Sequence, residues 1–452
     1  MRINHLLNSS VKQQQNTHTF NILEDLSVRI QVNENPYFIP LETLFSMAAR
    51  MNKKRAFLFV SKILGKHLPV DPGRALLTGK ALALRYMEVV HSMSSPEKDE
   101  NLENLHSGMA LPKIKPSQIR LPEETVFIGF AETATALGHA VFENFQNATF
   151  FHTTREQIEG VESIIHFEEE HSHATSHRCY IKDEIINAGQ PVVLVDDEVT
   201  TGKTALNIIE SIQHTYPRKE YTVISILDWR SEENQEKFRQ AEQRLGIRIH
   251  TVSLLQGTME LEGQPVTDLH CEEGNPFAFD SEINKHFLEH FSDEAIQGAK
   301  EYLFYTGRFG MRDHHQIVAE RKAFEAGAKL SDFRTGMRTL CLGTGEFMYL
   351  PMKIAQKMGD GVFYQSTTRS PIHPVNLEGY AVKSSFPFAN PEDESILHHF
   401  YNVELGQYDE VFVFFEREAA EESLRPMLQQ LKKVFPVIHL VFFNSKKATK
   451  LI

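Results

Sequence analysis

From about residue 121 the chain alternates apolar, strand-like runs with amphipathic, helix-like runs that are joined by short connections. ETVFIGFA, PVVLVDD and YTVISILDW are typical of buried strands, and TALNIIESIQHTY and EENQEKFRQAEQRLGI have the spacing of helices. This alternation predicts an α/β fold with a mostly parallel sheet that helices flank on both faces. Polar residues that follow the strands of such a sheet meet at one edge, which is where ligands bind.

A shorter alternation of the same kind follows, with TLCLGTGEF, YDEVFVFFE and VIHLVFF as strands and FMYLPMKIAQKMG as a helix. It predicts a second, smaller α/β domain. We therefore divide the chain into a polar N-terminal lead-in, a first domain, a connector and a second domain. Their predicted ranges are 1–20, 21–257, 258–284 and 285–452.

The segment before residue 121 is less regular. Residues 20–32 alternate like a single strand, and residues 35–70 have helical spacing. Residues 71–93 predict a clearer helix, whereas residues 94–118 are charged and rich in Pro, Ser and Asn, which indicates a surface loop.

Composition excludes several classes of function. A formal net charge of -13 argues against a general nucleic-acid binder and against a protein that rides on anionic membranes. The chain has 3 cysteines, which are too few and too scattered for a disulfide framework. The N-terminal residues lack the apolar core of a signal peptide, and no stretch approaches the length of a membrane span. We expect a cytoplasmic protein that binds neither nucleic acid nor membrane.

The most informative motif is PVVLVDDEVTTGKT, residues 191–204, in which a buried-type strand ends in Asp196 and Asp197. Carboxylates accept hydrogen bonds, so two of them suit the vicinal hydroxyls of a sugar. The turn that follows is rich in hydroxyl groups and leads into a helix, and a helix N-terminus with a glycine turn suits a phosphate. A ligand shaped like ribose 5-phosphate satisfies both halves of the motif.

This motif has two other interpretations. A nucleotide P-loop would need a glycine five positions before Gly202, where this chain has Asp197, and a carboxylate there would repel a triphosphate. A purely structural strand and turn gives no reason for two adjacent acids at a strand end.

The thirteen residues VVLVDDEVTTGKT resemble the signature of the type I phosphoribosyltransferases. The resemblance implies that Asp196 and Asp197 hold the ribose of phosphoribosyl pyrophosphate. It also implies that the turn holds the 5-phosphate, and that magnesium arrives with the pyrophosphate while its protein ligands stay unknown. The turn residues are Thr200, Thr201, Gly202, Lys203 and Thr204.

The same resemblance implies a pyrophosphate loop after the first strand of the sheet, in VFIGFAETATALGHA. Its residues are Phe130, Ala131, Glu132, Thr133, Ala134 and Thr135. A plain strand-to-helix turn is the alternative there.

The histidine-rich stretch that follows the pyrophosphate loop occupies the place of the family's mobile lid. It contains His166, Glu168, Glu169, Glu170, His171, His173 and His177. A transition-metal site and a solvated loop are the alternatives. Arg178 and Lys182 are the predicted contacts to the departing pyrophosphate.

The resemblance also implies that the base binds beyond the end of the next strand, at Asp228, Trp229 and Arg230. Trp229 either stacks on an aromatic base or packs in the core.

Residues 35–72 resemble the orotate-phosphoribosyltransferase-like branch that is associated with tellurite-resistance and stress operons. In that comparison Lys66, His67 and Arg74 form a hood over the site or, alternatively, act as surface and capping groups.

STTRSP, residues 366–371, resembles the motif that names the TRSP domain. The resemblance does not supply that domain's chemistry, but three of its predicted strands end in polar residues. These predict either a second ligand pocket or a docking surface. The residues are Gly343, Thr344, Gly345, Glu346, Ser366, Thr367, Thr368, Arg369, Ser370, Glu416 and Arg417.

Taken together, these resemblances imply a magnesium-dependent phosphoribosyltransferase, which is a pentosyltransferase. It would transfer a 5-phosphoribosyl group to an orotate-like or modified nitrogen base and release pyrophosphate. Its expected partners are phosphoribosyl pyrophosphate and a small-molecule base. The sequence does not determine whether the protein forms a homodimer. The alternatives are a non-catalytic sensor of the sugar phosphate and a bifunctional enzyme with a second reaction in the TRSP-like domain.

Overall fold

The computed structural model describes residues 16–50, 56–107, 118–168, 176–187, 189–263, 277–288, 291, 296 and 301–443. The strands are β1 (Thr17–Leu23), β2 (Leu26–Glu34), β3 (Phe45–Ala49), β4 (Phe57–Ser61), β5 (Ile119–Gly129), β6 (Phe145–His152), β7 (Ile165–Glu168), β8 (Ser176–Cys179), β9 (Val192–Val199), β10 (Glu220–Asp228), β11 (Arg248–Gly263), β12 (Glu282–Phe287), β13 (Met311–Arg312), β14 (Thr339–Gly343), β15 (Val362–Ser366), β16 (Ser385–Asn390), β17 (Asp393–Tyr401), β18 (Glu410–Phe415) and β19 (Val437–Phe442). The α-helices are α1 (Leu41–Leu44), α2 (Pro72–His91), α3 (Lys98–Ser107), α4 (Ala134–Phe142), α5 (Lys203–Thr215), α6 (Glu232–Leu245), α7 (Asp313–Ser331), α8 (Tyr349–Lys357) and α9 (Glu421–Leu431). Within these ranges no helix combines the length and the apolar character needed to cross a bilayer.

The larger sheet has 8 strands in the order β1-β2-β11-β10-β9-β5-β6-β13. Its middle, from β11 to β6, is parallel, and antiparallel strands are added at both edges. Strand runs such as Val192–Val195 are fully buried because helices cover both faces of a parallel sheet. This is the mostly parallel, helix-flanked sheet that the sequence predicts.

The strand order of the larger sheet reverses between β5 and β9, which are neighbours although three strands separate them in the chain. The chain leaves β5 through α4 toward β6 on one side, and it leaves β9 through α5 toward β10 on the other. Loops that follow two such strands diverge and leave a crevice between them, and this switch point is where open α/β sheets bind ligands.

The smaller sheet has 5 parallel strands in the order β12-β19-β18-β14-β15. Its order reverses between β14 and β18, so the turns after Gly343 and Phe415 diverge in the same way. A separate antiparallel hairpin, β16–β17, lies beside this sheet and pairs with residue Thr368 through the backbone of His399. A second α/β unit is therefore present, as predicted.

The boundary regions differ in detail from the predicted ranges. The single strand predicted over 20–32 is the β1–β2 hairpin, because Glu24 and Asp25 form a polar turn that the apolar alternation hides. β1 begins at Thr17, inside the predicted lead-in 1–20. β11 runs to Gly263 and β12 begins at Glu282, so both enter the predicted connector 258–284.

Two predictions about the segment before residue 121 are wrong. Residues 35–70 contain the antiparallel pair β3–β4 and the one-turn helix α1 instead of long helices. Phe57 and Phe59 on one face of β4 and Leu58 and Val60 on the other are all buried, so the strand packs on both faces. Aromatic and β-branched residues suit such a strand. The surface loop predicted over 94–118 includes helix α3.

A hydrophobic cluster joins two helices of the first domain to the second domain. Ala75 and Leu76 of α2 and Ala136 and Ala140 of α4 pack with apolar residues of α7, α8 and β14. The alanine side chains on α2 and α4 allow the second domain to approach closely. The two domains therefore contact each other through an apolar surface.

Candidate active site

A cavity of about 240 Å³ lies at the switch point of the larger sheet. The loops after β5 and β9 form two of its walls, β4 and the segment after it form a third, and the TRSP motif closes it. Its lining residues are Arg50, Leu58, Phe59, Lys66, His67, Ala131, Glu132, Thr133, Arg155, Asp196, Asp197, Glu198, Val199, Thr200, Thr201, Gly202, Thr204, Ala205, Thr368 and Ser370.

The motif at the end of β9 contributes its acids to this cavity. Asp196 and Asp197 both line it and are half-buried, since the strand has left the apolar core by that point. The backbone N–H of Asp197 donates to Oδ1 of Asp196 at 2.9 Å, which fixes the orientation of that carboxylate. The two acids therefore stand side by side at the cavity wall.

The Thr-Gly turn contributes four of its five predicted residues. Thr200, Thr201, Gly202 and Thr204 line the cavity, whereas Lys203 is exposed and lies outside the lining. The backbone N–H of Lys203 donates to Oγ1 of Thr201 at 3.3 Å. Helix α5 starts at Lys203, within this turn, so its N-terminal N–H groups lie beside the Thr hydroxyls.

The predicted pyrophosphate loop divides between the cavity and the core. Ala131, Glu132 and Thr133 line the cavity, and the Ala131–Glu132 peptide bond is cis. Phe130 is buried in the core. The last two residues of the predicted loop, Ala134 and Thr135, are buried in the first turn of α4.

A buried ion pair joins this loop to the segment after β4. Nζ of Lys66 lies 3.1 Å from Oε2 of Glu132, and their side chains are only 3% and 8% exposed. Burial alone would raise the pKa of Glu132, but the charges of Lys66 and Arg155 reverse this and lower the pKa to about 2. Burial and then the neighbouring Lys66 charge lower the pKa of His67 to about 3. Burial lowers the pKa of Lys66, and the charge of Glu132 offsets part of this shift. The wall thus carries an ionised carboxylate, the buried amine that pairs with it and a neutral imidazole.

Lys66 and His67 occupy the position expected of a hood, but the third hood candidate does not. Arg74 lies in the first turn of α2, where its backbone N–H donates to the capping carboxylate of Asp71 at 3.2 Å. Its side chain is absent from the cavity lining. Of the three candidates, Arg74 is therefore the one that lies at the N-terminus of a helix and not on the cavity.

Arg50, Phe59 and Arg155 line the cavity and were missed by reasoning from the sequence. Arg155 could have been found, because HTTRE follows the strand β6 as the other polar motifs follow β5 and β9. Arg50 and Phe59 carried no such signal, since their segment has the spacing of a helix and only the β3–β4 pairing directs them toward the site.

The base-side candidates lie behind the cavity wall. Asp228 and Arg230 form a buried ion pair at 2.7 Å, and the Arg230 guanidinium stacks on Phe238. Trp229 stacks on Phe59 with ring centroids 5.0 Å apart, and Phe59 in turn faces the cavity. None of the three predicted residues is in the lining, and Trp229 has the packing role that was the alternative.

The predicted lid is only partly within the described residues. β7 and β8 form an antiparallel pair on either side of it, while Glu169, Glu170, His171 and His173 and the side chains of His166 and Glu168 lie outside the described part. His177 is buried, with Nδ1 2.9 Å from Oγ1 of Thr153.

Neither predicted pyrophosphate contact near the lid lines the cavity. Arg178 is half-buried and donates from a guanidinium nitrogen to the carbonyl of Arg155 at 3.3 Å. Lys182 is 81% exposed and lies 3.9 Å from Glu184. A pyrophosphate role for these two residues stays a prediction.

The polar strand ends of the smaller sheet face the larger one. Glu346 accepts from Oγ1 of Thr154 at 2.5 Å and from the backbone N–H of Arg155 at 2.9 Å. Arg417 pairs with Glu156 of the first domain at 2.8 Å, whereas Glu416 pairs with Arg308 of its own domain at 2.9 Å.

Several of the remaining candidates in the smaller sheet bond to one another. Oγ1 of Thr344 donates to the carbonyl of Phe414, the N–H of Gly345 to Oγ1 of Thr367, and Oγ of Ser366 to the carbonyl of Gly345. Gly343 ends β14, and Arg369 is half-buried outside the lining. Thr368 and Ser370 line the cavity of the larger sheet. The choice between a second ligand pocket and a docking surface stays a prediction.

Within the described residues, no group of three or more His, Cys, Asp or Glu side chains is arranged to hold a metal ion by itself. A cation that arrives with a phosphorylated ligand would instead meet the carboxylates of the cavity. Four carboxylates line it, those of Glu132, Asp196, Asp197 and Glu198, so a phosphorylated ligand would need a cation between itself and these acids. Oε1 of Glu132 is buried and has no hydrogen-bond partner in the described part of the chain. Hard oxygen ligands and water-mediated contacts are what Mg²⁺ prefers.

Comparison with known protein families assigns both parts of the chain. Residues 44–258 match the family model described as a phosphoribosyl transferase, and residues 305–431 match the TRSP domain that lies C-terminal to it. The chain therefore carries a phosphoribosyltransferase domain followed by a TRSP domain. Phosphoribosyltransferases are pentosyltransferases, so this is an enzyme domain of that class. The matched models name neither the orotate-like branch nor the tellurite-resistance operons, and both stay predictions.

Among solved structures, similar chains include three adenine phosphoribosyltransferases. The enzyme from Trypanosoma brucei in complex with AMP, pyrophosphate and ribose-5-phosphate is 11% identical, with 55% of this chain and 91% of that chain covered and a TM-score of 0.31. The enzyme from Leishmania tarentolae is 13% identical, with coverages of 47% and 84% and a TM-score of 0.25. The Giardia lamblia enzyme with 9-deazaadenine is 18% identical, with coverages of 29% and 70% and a TM-score of 0.22. No curated protein matches the chain.

Proposed function

We propose that the chain transfers the 5-phosphoribosyl group of phosphoribosyl pyrophosphate to a nitrogen base and releases pyrophosphate. The observation that carries this proposal is the pairing of Asp196 and Asp197 with a hydroxyl-rich helix N-terminus at the switch point of the larger sheet. Carboxylates that accept from a diol and N–H groups that donate to a phosphate are held a few residues apart. The match of residues 44–258 to the transferase family supports the same reaction.

In this reaction a ring nitrogen of the base forms a bond to C1 of the ribose while the bond from C1 to the pyrophosphate oxygen breaks, and its electron pair leaves with the pyrophosphate. Asp196 and Asp197 orient the ribose hydroxyls and face the positive charge that develops on the sugar. The turn from Thr200 to Thr204 anchors the 5-phosphate. Catalysis of this kind depends mainly on positioning and electrostatics.

Mg²⁺ would arrive with the pyrophosphate, and the cavity carboxylates Glu132, Asp196 and Asp197 would contact it through its water shell. A bound cation neutralises charge on the pyrophosphate as it departs. Lys66 and Arg155 line the cavity together with Glu132, which pairs with Lys66, and the pyrophosphate is proposed to lie beside these two basic side chains.

The acceptor is proposed to be a planar nitrogen heterocycle that lies against Leu58 and Phe59. These are apolar lining residues, and the Trp229 ring behind Phe59 makes that wall rigid. Both an adenine-like and an orotate-like base meet this description, so both belong among the acceptors tested.

The proposal is tested by calorimetry and isotope exchange on the full chain. With Mg²⁺ present, we expect saturable binding of phosphoribosyl pyrophosphate, and exchange of labelled pyrophosphate into it when the correct base is supplied. Asp196→Asn and Asp197→Asn should each lower exchange by about 100-fold or more, the effect of removing one preorganised electrostatic contact. Glu210→Gln is the control, because Glu210 pairs with Arg244 on the exposed surface of the same domain.

Absence of binding by the wild-type chain would contradict the proposal. Binding that depends on the two aspartates but yields no exchange with adenine, orotate or related bases would instead identify a sensor of the sugar phosphate.

A further inference from the structure

The TRSP motif, Thr368–Pro371, lies on the transferase cavity although it belongs to the second domain. Thr368 and Ser370 line the cavity, and Thr368 is only 1% exposed. The cavity is thus built from both domains, and the second one contributes hydroxyl groups to it.

The hydroxyl of Thr368 has a defined direction. Its oxygen accepts from the backbone N–H of Ser370 at 3.1 Å. Its one proton is then available to Oε2 of Glu132, which lies 3.2 Å away. A hydrogen bond to an ionised carboxylate is stronger than one between neutral groups, so this contact favours a single orientation of the Glu132 side chain.

The partner of Glu132 is held by the same segment. Nζ of Lys66 donates to the carbonyl of Thr367 at 3.3 Å as well as pairing with Glu132 at 3.1 Å. Two adjacent residues of the second domain therefore contact both members of an ion pair that belongs to the first. Buried pairs need such additional hydrogen bonds, because their desolvation is costly.

The backbone of this segment is fixed on both sides. The N–H of Ser366 donates to the carbonyl of Gly65 at 2.7 Å, next to Lys66 in the chain. Thr368 and His399 exchange two backbone hydrogen bonds, at 2.9 and 2.8 Å, which tie the motif to β17. The Thr368 hydroxyl is therefore positioned by a rigid frame that includes both domains.

We propose that Thr368 is a positioning residue of the transferase reaction, which holds the Glu132–Lys66 pair at the pyrophosphate end of the cavity and makes the TRSP domain a necessary part of that site. This inference rests on the proposed function. It assigns the second domain a role in the first reaction, in place of a reaction of its own. The residues proposed to bind the ribose 5-phosphate part of the ligand, Asp196, Asp197 and the Thr-Gly turn, all belong to the first domain.

The inference predicts that the two ends of the ligand respond differently to a change at Thr368. In Thr368→Val the side chain keeps its shape and loses the hydroxyl. We expect its affinity for phosphoribosyl pyrophosphate and for pyrophosphate, with Mg²⁺, to fall by about 10-fold, as for loss of one hydrogen bond to a charged group. Affinity for ribose 5-phosphate should stay within about twofold of wild type, because no contact to the sugar end changes.

Thr368→Ser keeps the hydroxyl and should restore pyrophosphate affinity, while Ser423→Ala removes a hydroxyl on exposed α9 and should change neither affinity. Each variant is used as the full chain after its thermal unfolding midpoint is compared with wild type. If Thr368→Val does not fold, Thr368→Ala gives the same comparison without the branched side chain.

Three results would overturn the inference. Equal pyrophosphate affinity of Thr368→Val and wild type would show that the hydroxyl does not position the pair. A parallel loss of ribose 5-phosphate affinity would show a general structural role. Failure of the wild-type chain to bind phosphoribosyl pyrophosphate would overturn the proposed function and this inference together, and so is distinguishable from the first two.

Discussion

At Gly202 the backbone turns from β9 into α5 with φ of +75°, a conformation that favours glycine. A Cβ atom at this position would lie 2.4 Å from the Phe238 ring, so space as well as conformation excludes a side chain. The Thr-Gly turn therefore depends on one residue without a side chain.

The first prediction concerns this glycine. Gly202→Ala should destabilise the fold by about 2 kcal/mol, since it combines backbone strain with a contact against a buried ring. It should also weaken binding of ribose 5-phosphate, because the turn must shift to admit the methyl group. Denaturant unfolding and calorimetry measure the two effects.

Gly246→Ala is the matched control. Gly246 has φ of +64° and ends α6, but a Cβ there would meet no atom within 4 Å. The free energy of unfolding of this variant should fall by only about 1 kcal/mol, because only backbone strain is added, and its ligand affinity should stay normal. Equal losses at the two glycines would show that packing against Phe238 is unimportant.

Individual residues differ in how well the sequence predicted them. Asp196 and Asp197 could be predicted because two adjacent acids after a buried strand have few structural explanations. Arg50 and Phe59 could not, because their position depends on strand pairing with a segment whose spacing suggested a helix. Trp229 was predicted either to stack on a base or to pack, and it packs against Phe59.

Among the elements, helix α4 carries a titratable group into the apolar contact between the two domains. His139 is fully buried, its Nε2 lies 2.7 Å from Oε1 of Gln316, and its ring stacks on Tyr349 at 3.5 Å. Burial lowers the pKa of His139 from 6.5 to about 3, so the imidazole is neutral in the folded protein.

This gives a prediction about acid. The folded-state pKa lies below the unfolded value, so the unfolded chain binds the proton more readily. The contribution is fully present above pH 6.5 and is lost progressively as pH falls toward 3. The thermal unfolding midpoint should therefore decrease between pH 7.5 and about pH 5.

His139→Gln separates this helix from the other buried histidines, since Gln does not titrate. The variant should be less stable at pH 7.5, but its midpoint should decrease less between pH 7.5 and about pH 5 than that of wild type. An identical decrease in the two proteins would mean that His139 does not take up a proton on unfolding.

Elements with a strong period were predicted well, and short ones were not. The strands β9 and β10 and the helices α5 and α6 follow from their apolar patterns. The β3–β4 pair was missed because each strand has only five residues. So short a run does not distinguish the two-residue period of a strand from the period of a helix. The strand order of the sheet determines which strand ends lie next to the site, and the sequence pattern does not show this order.

At the scale of the whole molecule, a buried ionic contact joins the two domains. Lys353 of α8 pairs with Glu143, next to the end of α4, at 2.6 Å, and the hydroxyl of Tyr349 donates to the same carboxylate at 2.7 Å. The Lys353 side chain is 6% exposed. Loss of the ammonium group would leave a buried carboxylate without its counter-charge.

Lys353→Met should therefore destabilise the chain by about 3–5 kcal/mol, the range for breaking a buried pair from one side. Trp229 is the single tryptophan of the chain and lies in the larger sheet, so its fluorescence during denaturant unfolding reports on the other domain. Its transition should move to lower denaturant if the domains unfold together.

The control is Lys285→Met, which removes an exposed partner of Glu421 and should change stability by less than about 1 kcal/mol. A Lys353→Met transition that leaves the Trp229 signal unmoved would show that the two domains unfold independently.

The sequence by itself determined the local chemistry: the periods of the strands and helices, the polar residues at their ends, and the pairing of acids with a Thr-Gly turn, because these depend on neighbours within a few positions. Only the tertiary structure decided that the second domain's polar strand ends face the first domain and that Thr368 contacts Glu132, residues that are 236 positions apart. Contacts over such distances depend on strand order and on which apolar faces pack together, and a single sequence records neither.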